Sequence, residues 1–108
     1  MPDHLQPRFA RIWRGRTPRD KADAYQAYWL ENGVKPLKAR GALNVRMLRE
    51  DRPADTEFVT ISLWNSLEAM TGGAGGDPTL THHLAKDSEY LIELPTRVQV
   101  LKILDSDD

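Results

Sequence analysis

A chain of 108 residues makes one compact domain and not two. Its 40 % hydrophobic and 29 % charged residues are ordinary for a globular protein, and a net charge of -1 supplies no field to draw nucleic acid or an anionic membrane. The absence of cysteine excludes disulfides, thiolate metal sites and a cysteine nucleophile. No apolar run approaches the ~20 residues of a membrane span, and the opening MPDHLQPR has no apolar signal core. A cytoplasmic protein with neither membrane nor nucleic acid as partner is expected.

Residues 1–7 carry two prolines and no periodicity, which predicts a loose arm. From Arg8 to Gly15 the chain alternates, with Phe9, Arg11 and Trp13 on one side and Ala10 and Ile12 on the other, so a strand is predicted. A helix follows. Thr17 is its candidate N-cap, Pro18 its first residue, and Ala22, Tyr25, Tyr28 and Trp29 recur at helical spacing. Asn32-Gly33 is expected to close it with a left-handed residue, and Val34–Arg40 to add a turn. Gly41–Glu50 places Leu43, Val45 and Met47 on one face, a second strand. Turn residues in DRPAD then lead to a third strand at Thr56–Trp64, rich in β-formers.

At Asn65 the period changes. Asn65 and Glu68 have the spacing of a capping box, so a helix is expected there. Glycines between Thr71 and Pro78 weaken it, and either a helix break or a flexible lid suits Gly72–Gly76. Asp77-Pro78 is expected to cap a short helix through Ala85, and Asp87–Leu94 to add another turn or two. Thr96–Leu104 alternates as a closing strand, and 105–108 form an acidic tail. The domain thus spans 8–104.

The order β-α-β-β-α-β is the split βαβ, ferredoxin-like pattern of an α+β fold with an antiparallel sheet. All the helices fall between strands, so they lie on one sheet face. Yet both faces of the third strand want cover: Phe58, Thr60, Ser62 and Trp64 point one way, and the wholly apolar Val59, Ile61 and Leu63 point the other. A second copy packed sheet to sheet meets that need, and a two-fold homodimer is predicted.

The stretches ARIWRGR, KADAYQAYWLENGV, FVTISLWNSLEAM and YLIELPTRVQVLKIL carry a resemblance that extends over almost the whole chain. Through them the chain resembles the antibiotic biosynthesis monooxygenase type of the dimeric α+β barrel superfamily. The resemblance implies a barrel-forming dimer and, in each subunit, a cleft between sheet and helices. It implies a monooxygenase acting with O2 on a planar aromatic or polyketide-like substrate without a cofactor. Phe58, Thr60, Trp13, Arg11, Tyr25 and Met70 would then surround the substrate, with Trp64 and His83 as the catalytic candidates. In the polyketide oxygenases an Asn and a Trp on the third strand line the cleft; Trp64 matches the Trp, whereas Thr60 stands in the place of the Asn. In the heme-degrading branch a histidine binds iron, and His83 falls at its place. That branch's helical Trp would fall near Gly73, and its first-strand Asn has no match.

Each candidate has a plainer reading beside the functional one. Trp64 either closes the end of the core or forms a pocket wall, where its ring stacks on a flat ligand and its N–H donates. His82 and His83 are neighbours, about 100° apart on a helix, so they do not chelate one ion together. Either they are an exposed pair, or His83 alone serves as a base or a heme ligand. Trp13, Tyr25, Tyr28 and Trp29 suit core and dimer packing. Arg11 either pairs with a carboxylate or meets an acidic group of the substrate. Two functions are therefore in play: an oxygenase, in which His83 or a tyrosine handles the proton, and a non-catalytic dimeric module holding a small planar hydrophobic ligand.

Overall fold

Alternation governs the first strand, β1 (Phe9–Thr17): Arg11, Trp13, Gly15 and Thr17 are buried, while the residues between them are half-buried or exposed. The computed structural model of the protein describes residues 6–71, 76–81 and 83–104. A single 3-10 turn, Arg19–Lys21, leads into α1 (Ala22–Asn32), followed by α2 (Val34–Arg40), β2 (Asn44–Asp51), β3 (Thr56–Trp64), α3 (Leu67–Met70), α4 (Asp87–Tyr90) and β4 (Gln99–Lys102). The expected α+β, ferredoxin-like order is present. The sheet runs β2-β3-β1-β4 with every neighbouring pair antiparallel. β1 and β2 are therefore parallel with β3 between them, which is the split βαβ arrangement.

The helices cover one side of this sheet. Ala22, Tyr25 and Trp29, spaced by three and four residues, form the buried stripe of α1. They meet Trp13 and Phe58 from the sheet and Leu91 and Val98 from the C-terminal part. A second cluster of Ala42, Trp64 and Met70 closes the far end of β3.

Several element ends differ from those expected. β1 runs on through Thr17, and the turn begins at Pro18, whose carbonyl accepts from Lys21 N–H at 3.0 Å; Thr17 caps nothing because it still pairs with Thr56. Gly33 is right-handed, at φ -89°, so the chain continues into α2 rather than stopping. Space is what requires a glycine here: a Cβ at Gly33 would lie 2.7 Å from the Trp29 indole. The left-handed residue is Gly41, at φ 116°, which ends α2. Ser66, not Asn65, caps α3, its Oγ accepting from Ala69 N–H at 3.2 Å, while Asn65 donates to the Gln6 carbonyl.

Among the described residues the short helix expected after Pro78 is absent. Asp77 Oδ1 instead accepts from Thr79 N–H and Oγ1 at 2.9 and 2.6 Å, a turn that sends Leu80 into a bridge with Arg97. β4 is correspondingly shorter than the expected strand. The expected loose arm (apart from residues 6 and 7), the acidic tail, Gly72–Gly75 of the glycine segment and His82 lie outside the described residues.

The other sheet face carries no helix among the described residues; its centre is apolar, with Arg14, Asn44, Arg46 and Gln99 also on it by register. Ala10 and Ile12 of β1, Val59, Ile61 and Leu63 of β3, and Leu48 and Leu101 of the edge strands share it by register. All are half-buried or exposed, whereas every residue of β3 on the helical side is buried. No helix among the described residues is long and apolar enough to cross a membrane.

Candidate functional site

A cavity of about 270 Å³ opens between the sheet and the helices. Its floor is a cross-strand pair, Trp13 of β1 opposite Thr60 of β3. Alternation aims both side chains at the helical layer. Tyr25 and Trp29 of α1 form the wall, and Trp13 and Tyr25 stack at 6.4 Å between centroids with 27° between their planes. Three aromatic rings thus bound one space.

Two kinds of charge enter it. Arg11 and Arg40 bring guanidinium groups, and Asp87 brings a carboxylate. Asp87 is 3 % exposed. Its Oδ1 accepts from the Tyr25 hydroxyl at 3.2 Å, and its Oδ2 accepts from Leu84 N–H at 2.9 Å. Burial pushes its pKa above the usual carboxylate range, opposed by those two hydrogen bonds and by nearby His83. The Tyr25 hydroxyl is pushed up by burial and by the Asp87 charge, so it stays a protonated donor. Arg11 is driven down by burial first and by Arg40 second.

Of the residues singled out from the sequence, Trp13, Tyr25, Arg11, Thr60 and His83 come together around this cavity. His83 is exposed and forms part of its rim. Trp64, Met70 and Phe58 do not line it. Trp64 is fully buried beside Ala42 and Met70, and its indole N–H donates to Ser62 Oγ at 2.8 Å. The placement on a pocket wall thus gives way to the core alternative, because Trp64 lies four residues along β3 from Thr60. Leu37 packs on its cluster and reaches the cavity in its stead. Met70 follows Trp64 into the same cluster. Phe58 lies under Tyr25, edge to face at 5.2 Å, with the Arg49 guanidinium 5.8 Å from its ring centre.

Sequence reasoning missed Asp87, Arg40 and Trp29 as residues of the cavity. Asp87 opens a helix of only four residues and reads as an ordinary acidic first-turn residue. Its immediate neighbours, Lys86 and Ser88, are polar, so no local signal marked it as buried.

The volume of about 270 Å³ lies below the roughly 300–1,000 Å³ of pockets for drug-sized ligands, and His83, exposed at the rim, is the described imidazole that lines the cavity. Among the described residues no three His, Cys, Asp or Glu side chains gather as a metal site.

Fold and cavity together define a ferredoxin-like α+β domain with an aromatic-walled recess between sheet and helices. No protein-family model matches the chain, and no curated protein matches it in sequence. Among solved structures the chain is similar to a Bacillus cereus protein described as a proposed antibiotic biosynthesis monooxygenase. The two are 15 % identical with a TM-score of 0.64, over 95 % of this chain and 99 % of that one. The likeness is one of fold, and it agrees with the ferredoxin-like α+β fold expected from the sequence.

Proposed function

We propose that the protein is a small cofactor-independent monooxygenase of the antibiotic biosynthesis monooxygenase type. It oxidises a compact planar aromatic or polyketide-like substrate with O2 in the cavity, as a cytoplasmic homodimer joined through the open sheet faces. One observation carries the reading: a buried carboxylate, Asp87, with a raised pKa at the edge of a cavity walled by Trp13, Tyr25 and Trp29. A carboxylate with raised affinity for protons is suited to take one from an activated carbon acid. Tyr25 holds Asp87 in place, and His83 at the rim is positioned to pass the proton outward. The aromatic walls orient the flat substrate and keep water from it.

The chemistry balances without an outside reductant. Asp87 removes a proton from an activated CH2, and the resulting carbanion gives its electrons to O2. One oxygen atom ends on that carbon as a carbonyl. The other leaves as water with both hydrogens, and the carbon supplies all four electrons that O2 needs.

A second reading, the non-catalytic dimeric module, is favoured by two specific observations. The Trp64 N–H is already satisfied by Ser62, and Thr60 stands where the polyketide oxygenases have Asn. O2 uptake with anthrone-type substrates separates the two. Uptake in wild type, with a large loss in Asp87→Asn, supports the oxygenase; no uptake across such a panel, with the probes still bound, supports the module. A hemin titration tests the heme relative: no Soret shift is expected in wild type, and a shift abolished by His83→Ala would overturn the cofactor-independent reading.

A further inference from the structure

Arg11 is the buried arginine of this chain, 7 % exposed. A guanidinium carries five donors, and the hydrogen bond that Arg11 makes runs from Nη2 to the Leu80 carbonyl at 3.2 Å. Among the described residues no carboxylate forms an ion pair with it. Arg14, Arg16, Arg49, Arg52 and Arg97 have carboxylate partners; of the arginines without one among the described residues, Arg11 is the one that is buried. Asp87 lines the same cavity but is held by Tyr25 and Leu84. The charge that bears on Arg11 is that of a second cation, Arg40, on the same cavity. A charge withdrawn from water without a counter-charge destabilises the fold, so its presence calls for an anion.

A second observation points to the same place. Thr60 is 5 % exposed, and its Oγ1 has no hydrogen-bond partner among the described residues. Arg11 pairs across the strands with Ser62, so Thr60 is its diagonal neighbour on the same sheet face. Such neighbours lie roughly 7–8 Å apart at the backbone, a gap that a group with two oxygens bridges between a long guanidinium and a short hydroxyl. Orphaned donors side by side in a cavity are a recognition pair awaiting its acceptor.

We propose that the cavity selects a planar aromatic carboxylate, with the carboxylate on Arg11 and Thr60, Arg40 reinforcing the charge, and the ring against Trp13 and Trp29. This inference rests on the cavity being the substrate site, and it adds the substrate's charge class. Guanidinium and carboxylate match in geometry as well as charge. The volume of about 270 Å³ suits a compact fused-ring acid.

The test uses an isosteric pair of probes, 2-naphthoate and 2-naphthamide, followed by quenching of tryptophan fluorescence in the intact chain. Wild type is expected to bind naphthoate roughly 10- to 100-fold more tightly than the amide, as hydrogen bonds to a charged group allow. Arg11→Met and Arg40→Gln should each reduce that preference, Arg11→Met nearly to unity, with amide affinity little changed. Arg11→Met should also melt higher than wild type without ligand, because it replaces an unpaired buried charge with an apolar side chain. An arginine serving structure alone would lower the melting point instead. Should Arg11→Met not fold, Arg40→Gln and the wild-type probe ratio still decide. Equal binding of the two probes by wild type overturns the anion site and leaves the cavity reading standing. Binding of neither overturns both. Tight naphthoate binding by a protein that consumes no O2 upholds the anion site while removing the oxygenase.

Discussion

Replacing Tyr25 by Phe removes one hydroxyl from the centre of the cavity wall and nothing else. Tyr25 is fully buried, and its hydroxyl is the donor to Asp87 Oδ1 at 3.2 Å. Without it a nearly buried carboxylate keeps only the Leu84 N–H on its other oxygen. A hydrogen bond to a charged group contributes about 1.5–3 kcal/mol. With an unfolding entropy of ~2.1 cal/mol/K per residue, that corresponds to roughly 6–15 °C in melting temperature for a domain of this size.

The sign of the pH dependence follows from the raised pKa of Asp87. As pH climbs above the unfolded value of about 3.9, the unfolded chain ionises first, so stability falls toward neutral pH. Tyr25 opposes that fall because its bond favours the carboxylate. Tyr25→Phe should therefore cost the full amount near pH 7.5. Near pH 4 a protonated Asp87 loses only an ordinary hydrogen bond of about 0.5–1.5 kcal/mol. Urea denaturation followed by tryptophan fluorescence, at one fixed protein concentration because dimerisation would otherwise shift the midpoint, measures both. A loss under about 0.5 kcal/mol near pH 7.5, or an equal loss at the two pH values, would refute an ionised Asp87 held by Tyr25. It would also remove the basis for Asp87 as the proton acceptor.

Other outcomes follow from the same packing. Asp87→Asn should flatten the decline in stability that begins as pH rises above about 4, as read by the same denaturation series. Ile61→Lys puts a charge at the middle of the open sheet face, opposite Ile12 and Arg46; sedimentation should shift from dimer to monomer, and a wild type already monomeric at micromolar concentration would refute the covered face. Trp64→Phe should destabilise by about 1–3 kcal/mol through lost packing and an unpartnered Ser62, yet leave probe affinity unchanged; weakened binding would return Trp64 to the site. Gly33→Ala sets a Cβ 2.7 Å from the Trp29 indole, so that ring must move against the cavity. A cost of about 1–3 kcal/mol and weaker naphthoate binding are expected, and unaltered values of both would refute that contact.

Much of this architecture is written in local patterns. The third strand is where alternation and β-formers place it, at Thr56–Trp64, and the helix with Ala22, Tyr25 and Trp29 on one stripe is where spacing puts it. Local rules fail at the ends of elements, where two groups compete for one role. Ser66 outcompetes Asn65 as cap because Asn65 is drawn to the Gln6 carbonyl, fifty-nine positions away. The segment after Pro78 gives up helix for a bridge to Arg97, a partner that no local window contains.

The candidate site divides along the same line. Period-two alternation by itself put Arg11 and Trp13 on one face of the first strand, and Phe58, Thr60 and Trp64 on one face of the third with the apolar set Val59, Ile61 and Leu63 on the other; the strand register then joined the faces of Trp13 and Thr60. Spacing alone also placed Tyr25 on the inward stripe of its helix. Only the tertiary structure brought Asp87 to Tyr25, sixty-two positions distant, set Arg11 and Arg40 on one cavity, and packed Trp64 against Leu37. Side-chain direction is a property of each strand or helix and can be read along it. Burial, charge pairing and the emptiness of a cavity belong to sets of residues that become neighbours only when the chain closes on itself.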